Sequence, residues 1–108
     1  MKKILILCFM VLIFSSYGNT KSYKKGQKSF DKKKYAEAEK YYLIAVNDEG
    51  SVLAMRGLGY VYRSENKYEL SEQYFKIGIE NGDIISMLAL GNLYKSEKRY
   101  DEAEKYLK

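Results

Sequence analysis

Leu58-Gly59-Tyr60-Val61-Tyr62 returns 32 residues later as Leu90-Gly91-Asn92-Leu93-Tyr94. Nine residues after each glycine a tyrosine opens an acid-rich stretch: Tyr68 after Gly59 and Tyr100 after Gly91. Gly26 and Tyr35 make the same step 33 residues upstream of the first copy. A supersecondary unit repeated at this period predicts stacked helix pairs, each burying its apolar side against a neighbour. Such a stack offers a surface for binding rather than a pocket for chemistry.

Outward from the glycines, each unit divides into two helices. The first, helix A, is expected from about Ser51 to Glu65 in the second unit, with Ser51 as N-cap after Gly50. In the third unit Gly82-Asp83 takes the stop-and-cap role and helix A runs to about Glu97. Met55, Leu58, Val61 and Tyr62 fall on one helical stripe, repeated by Met87, Leu90, Leu93 and Tyr94. Gly59 and Gly91 sit in mid-helix, where glycine costs about 1 kcal/mol relative to alanine. A cost repeated in register implies that another helix crosses where a Cβ would stand.

Helix B follows the short turns at 31–34, 66–67 and 98–99. Its small-then-large pairs are Ala38 with Tyr42, Ser71 with Phe75, and Ala103 with Leu107, and Ala45 and Gly78 repeat the small residue one turn on. Small residues let helices approach and large ones fill the gap beside them. Glu37, Glu39, Lys40, Glu69, Glu72, Glu102, Glu104 and Lys105 between them read as a solvated outer face.

This order of residues resembles the tetratricopeptide repeat pattern. Met55–Leu58–Gly59–Tyr62 with Ser71–Phe75 carries it, as does Met87–Leu90–Gly91–Tyr94 with Ala103–Leu107; Gly26, Tyr35, Ala38, Tyr42 and Ala45 match more loosely. Asn81-Gly82-Asp83 ahead of Leu90-Gly91-Asn92-Leu93-Tyr94 resembles the Sel-one-like subgroup. The chain departs from the pattern in having methionine for the early bulky aromatic and no proline anywhere, and Lys25 and Ser29 replace Leu and Tyr in the first unit. The expected fold is all-α: antiparallel helix hairpins stacked as a short right-handed α-solenoid of about two and a half repeats. The units are expected at about 22–50, 51–82 and 83–108, the last incomplete. A fragment, a marginal stack, or self-association of two copies through the open C-terminal end would each account for that short last unit.

Residues 1–18 read as a cleavable signal peptide. Lys2 and Lys3 precede eleven apolar residues, Ile4 to Phe14, and Ser15-Ser16-Tyr17-Gly18 follows. Eleven helical residues reach about 16 Å, well short of a hydrocarbon core of roughly 30 Å. The expected location is therefore exported, whether periplasmic, cell-envelope or secreted, with a membrane anchor only if the leader stays uncleaved. The single cysteine, Cys8, lies in the apolar run, so the processed chain would have no disulfide. The net charge of +5 is unevenly spread: residues 19–34 carry seven lysines and one acid, whereas residues 35–108 carry ten basic and thirteen acidic groups.

The resemblance implies peptide or partner-helix binding along helix A. Matching the outward positions gives Tyr23, Gln27 and Phe30 in the first unit, Leu53, Arg56, Tyr60 and Arg63 in the second, and Ile85, Leu88, Asn92 and Lys95 in the third. Arg56, Arg63, Asn92 and Lys95 suit an acidic or C-terminal carboxylate group; the plainer reading makes them ordinary solvated helix positions. Lys21, Lys24, Lys25, Lys28 and Lys32 fall on one stripe of the first helix, opposite Tyr23, Gly26 and Phe30. That basic strip is either a polar end-cap of the stack or a contact for anionic lipid or wall polymer. Tyr23 and Phe30 are open between burial against helix B and a place in the groove.

Chemistry has little to work with here. Histidine is absent, and so is cysteine after processing, which removes the commonest general base, the thiol nucleophile and the usual zinc ligands. Glu37/Glu39 and Glu102/Glu104 diverge on a helix. Gly57-Leu58-Gly59 has no preceding strand, and Asn47-Asp48-Glu49-Gly50 lacks calcium-loop spacing. No catalytic, cofactor or metal site is expected, and no nucleic-acid partner.

Overall fold

The computed structural model describes residues 19–107. The leader expected over residues 1–18 lies outside the described residues. The described chain is helical throughout, with no strand. In order it forms α1 (Lys21–Asp31), α2 (Tyr35–Glu49), α3 (Val52–Ser64), α4 (Tyr68–Glu80), α5 (Ile84–Ser96) and α6 (Tyr100–Leu107). The A helices are α1, α3 and α5; the B helices are α2, α4 and α6. Two compact units divide within α3, the first ending at Ala54 and the second beginning at Met55.

The turns explain why hairpins form. Every A-to-B turn places one residue in the left-handed region: Lys33 at φ 60°, Asn66 at 61° and Lys98 at 62°. The next amide then reaches back five residues, Lys34 to Ser29 O at 2.9 Å, Lys67 to Tyr62 O and Arg99 to Tyr94 O at 2.8 Å. This Schellman closure satisfies the last carbonyls of the A helix and reverses the chain. Between B and A helices glycine takes the left-handed position, at Gly50 (φ 62°) and Gly82 (φ 89°). Ser51 then caps α3, its Oγ accepting from Ala54 N at 3.2 Å, and Thr20 caps α1 by accepting from Tyr23 N at the same distance.

In the first unit α1 and α2 pack antiparallel. The mid-helix Gly26 is buried, and a Cβ there would lie 2.6 Å from Tyr42 Cδ1. Ala38, Tyr42 and Ala45 form the buried stripe of α2. Tyr23 stacks on Tyr42 with ring centroids 5.8 Å apart, and Phe30 meets Tyr35 at 5.6 Å. Ser22 donates to Glu49 at 2.7 Å, tying the start of α1 to the end of α2.

The second unit repeats the close approach twice. A Cβ on Gly59 would stand 2.5 Å from Phe75 Cδ1, and one on Gly91 2.6 Å from Leu107 Cγ. So the glycine placed in mid-helix by the repeat is met by the large residue of the following B helix. Ser71, at the small position of α4, donates to Gly59 O at 2.7 Å, a bond that the close crossing makes possible. Gly78 serves the next contact, since a Cβ there would fall 2.5 Å from Ser86 Oγ on α5. Phe75, Ala89, Leu90, Leu93, Tyr94 and Ala103 make the core, with Tyr60, Ile79 and Tyr106 packed against it.

Three features depart from the reading of the stripes. Met87 occupies the register of the buried Met55 but is 40% exposed. Glu72, expected on the solvated face, is half-buried and central: it accepts from Tyr94 Oη at 2.5 Å and pairs with Lys76 at 3.0 Å and Arg99 at 3.4 Å. Asp83 holds the N-cap position of α5 without capping it. Its carboxylate is committed elsewhere, accepting from Arg56 Nε at 2.9 Å and from Ser86 Oγ at 2.6 Å.

Candidate interaction surface on the A helices

α3 and α5 both run antiparallel to α4, so within the second unit they run parallel to one another. This follows from the contacts: Gly59 and Tyr60 meet Phe75 while Tyr62 meets Tyr74, and Gly78 meets Ser86 while Glu72 meets Tyr94. Equivalent positions on the two A helices are therefore presented in the same sense.

On α3 the predicted surface residues are engaged to different degrees. Arg56 is drawn into the ion pair with Asp83, at 2.9 and 3.4 Å through two nitrogens. Its side chain is 19% exposed and that of Asp83 3%. The pair neutralises Arg56, so this guanidinium is not an open carboxylate receptor, contrary to its place in the groove set. Sequence spacing gave no hint of it, because the partner stands 27 residues away at a position that reads as a helix cap. Tyr60 is half-buried, edge-on to Phe75 at 5.3 Å, and Arg63 lies over its ring at 5.1 Å. These two form one cation–π unit at the C-terminal end of α3.

On α5 the predicted residues Leu88, Asn92 and Lys95 are all exposed, Leu88 by 55%. Ile84 and Ile85, in the same opening turns, are 77% and 48% exposed. The opposite side of the helix carries Leu90, Leu93 and Tyr94, each at most 2% exposed. α5 is thus apolar on both sides at its N-terminal half and polar on its open side only at its C-terminal half. Of the exposed aliphatics, Ile84 and Met87 were not among the expected surface residues; the run Ile84-Ile85-Ser86-Met87-Leu88, which has no polar break on one face, is the signal that identifies them.

In the first unit, Gln27 is exposed on α1 and Tyr23 is half-buried against Tyr42. The stacking places Tyr23 toward helix B rather than leaving its ring free for a ligand, and Phe30 likewise lies against Tyr35. Lys21, Lys24, Lys25, Lys28 and Lys32 are all exposed, and Lys25 Nζ sits 5.7 Å from the centroid of the Tyr41 ring.

Two shifted groups belong to the scaffold. Burial pushes the Tyr94 hydroxyl up, as does its bond to the Glu72 carboxylate. Burial also opposes charge on Glu72, but the bonds from Tyr94 and Lys76 and the charges of Lys76 and Arg99 outweigh it, holding this carboxyl below its usual value. The Arg99 guanidinium, stacked over Tyr94 at 4.4 Å and bonded to Glu102, completes the cluster.

Residues 85–108 match a family model for the tetratricopeptide repeat. The matched segment is α5 from Ile85 onward, the turn at Lys98 and α6, the hairpin whose A helix bears the exposed apolar residues. The all-α hairpin architecture is of the tetratricopeptide type. Repeats of this type generally mediate protein–protein interaction and typically act as scaffolds rather than enzymes. No curated protein matches the chain.

Proposed function

We propose that the chain is an exported tetratricopeptide-like scaffold, with Sel-one-like character in its third hairpin, that binds a peptide or partner helix on its A-helix face and carries no catalytic centre. One observation supports the binding face above others. α5 buries Leu90, Leu93 and Tyr94 on one side yet leaves Ile84, Ile85 and Leu88 about half exposed or more on the other. A helix apolar on two sides is suited to two partners, and the core is only one of them. Export rests on the lysine-then-apolar order of residues 2–14 and is tested by the N-terminal mass of the protein recovered from its native cell.

Panning a displayed peptide library against the purified protein tests the binding role. Enriched peptides should lose binding to a Tyr60→Ala, Arg63→Ala variant that keeps its helical circular dichroism. Peptides that bind both proteins equally would sink the assignment of this face.

The basic strip supports a second reading, an envelope module attached to anionic lipid or wall polymer. Its support is that all five strip lysines are exposed on α1. Reversing Lys24, Lys25 and Lys28 to glutamate should abolish envelope association under this reading and leave peptide capture intact under the first.

A further inference from the structure

We infer that the segment bound on the A-helix face of the second unit carries a bulky apolar side chain and a carboxylate on one side, about three residues apart in an extended stretch. This rests on the binding role proposed above and specifies its chemistry. The apolar half of the site is Ile85 and Leu88 on the open side of α5, 48% and 55% exposed.

The charged half follows from the arginines, of which the chain has three. Arg56 holds Asp83, and Arg99 holds Glu72 and Glu102. Arg63 meets the face of Tyr60, and among the described residues no carboxylate pairs with it. Lys95, its equivalent one repeat later on α5, is exposed and likewise pairs with no described carboxylate. Cations suit the last turn of a helix, which accounts for the residue type at these positions. It does not account for two of them, in register on parallel helices, being left without acidic partners in a unit that has paired Arg56, Lys76 and Arg99.

The Arg56–Asp83 pair sharpens the contrast. Arg56 aligns with Leu88, so unpaired it would put a charge at the apolar end of the face. Held by Asp83, it leaves that end neutral and the positive charge concentrated at Arg63 and Lys95. From Leu88 to Lys95 is seven helical residues, about 10 Å along the axis. A polyproline-like strand returns to the same side every third residue, after roughly 9 Å. An apolar residue and an acid three apart therefore reach both halves at once.

The test uses short fluorescein-labelled peptides with one Leu and, three residues on, one Asp in a Ser/Ala background, titrated by anisotropy against the full chain. Replacing Asp by Asn should weaken binding roughly tenfold, the size expected for a charged hydrogen bond, and replacing Leu by Ser should weaken it comparably. The Asp-to-Asn difference should vanish in a double Arg63→Gln, Lys95→Gln variant, and the Leu-to-Ser difference in Leu88→Ser. All three positions are at the surface, and unchanged circular dichroism separates loss of binding from loss of fold. Peptides that bind without preferring the acid, or an acid preference that survives the double variant, would overturn the inferred chemistry. If such peptides still lose binding on Tyr60→Ala with Arg63→Ala, the scaffold reading stands; if they do not, both fall.

Discussion

Alanine at the three register-equivalent glycines should give three different outcomes, because what each Cβ meets is different. Alanine gains about 1 kcal/mol over glycine in a helix interior. At Gly59 the new Cβ would lie 2.5 Å from Phe75 Cδ1, where ordinary contact begins at 3.4 Å, so the ring must retreat by 0.9 Å. Phe75 is fully buried, with the Tyr60 ring edge-on beside it at 5.3 Å. Overpacking of this kind costs typically 1–3 kcal/mol, which outweighs the propensity gain. Gly59→Ala should therefore destabilise by about 1 kcal/mol, a fall of roughly 4–8 °C in Tm for a domain of this size. Gly26→Ala should behave likewise, since Tyr42 is 3% exposed. At Gly91 the obstructing atoms are the end of Leu107, which is 39% exposed and able to turn aside. Gly91→Ala should therefore be neutral or stabilising by up to about 1 kcal/mol, the propensity term alone. In a Phe75→Leu background Gly59→Ala should move toward the Gly91 result, a coupling of about 2 kcal/mol that a double-mutant cycle in urea reads directly. A rise in Tm for Gly59→Ala in the otherwise unaltered chain would refute the close crossing of α3 and α4.

Lys98→Gly should stabilise by about 0.5–1 kcal/mol, because a left-handed φ of 62° suits glycine and strains lysine; Lys98→Val should do the opposite, both read by thermal melts. Glu72→Gln should destabilise the protein at neutral pH and leave it unaffected in acid. The Glu72 pKa is lower folded than unfolded, so its contribution is present above the unfolded value and disappears as pH falls through the folded one. Parallel acid titrations of both proteins in denaturant would show the curves converging, and parallel curves would refute the tie. Asp83→Ser should cost about 3 kcal/mol by stranding a partly buried Arg56. Adding Arg56→Leu should recover most of it, because serine and leucine are what the register-equivalent Ser51 and Leu88 already supply. A double variant as unstable as the single would show that the loss was not the stranded charge.

How much the sequence disclosed depends on whether a feature is local or reaches across the period. The hairpins, the Ser51 cap and the glycine crossings were legible because each follows from a helical step and from the volume of one residue. The left-handed lysines were not, since lysine does not advertise positive φ; it is the Schellman geometry, imposed by the hairpin, that overrides the preference. Glu72 read as solvated because its outer-face spacing is correct, and only the arrival of Tyr94 and Arg99, more than twenty residues on, draws it inward. Arg56 failed as a receptor for the same reason, its partner lying 27 residues away.

These long-range ties bear on the binding face as well as on stability. A repeat fixes which positions face outward, but not which outward charges remain available. In the second unit the cross-repeat pairs take up Arg56 and Arg99 and so leave Arg63 and Lys95, at matched positions on parallel helices, as the cations without an acidic partner. The same logic applies to the apolar residues. Leu90, Leu93 and Tyr94 are consumed by the core, and Ile85 and Leu88, on the other side of the same helix, are not. The specificity of this surface therefore lies in the residue left over after packing and pairing, and Arg63, Lys95 and Leu88 are the positions at which substitution should change what binds without changing what folds.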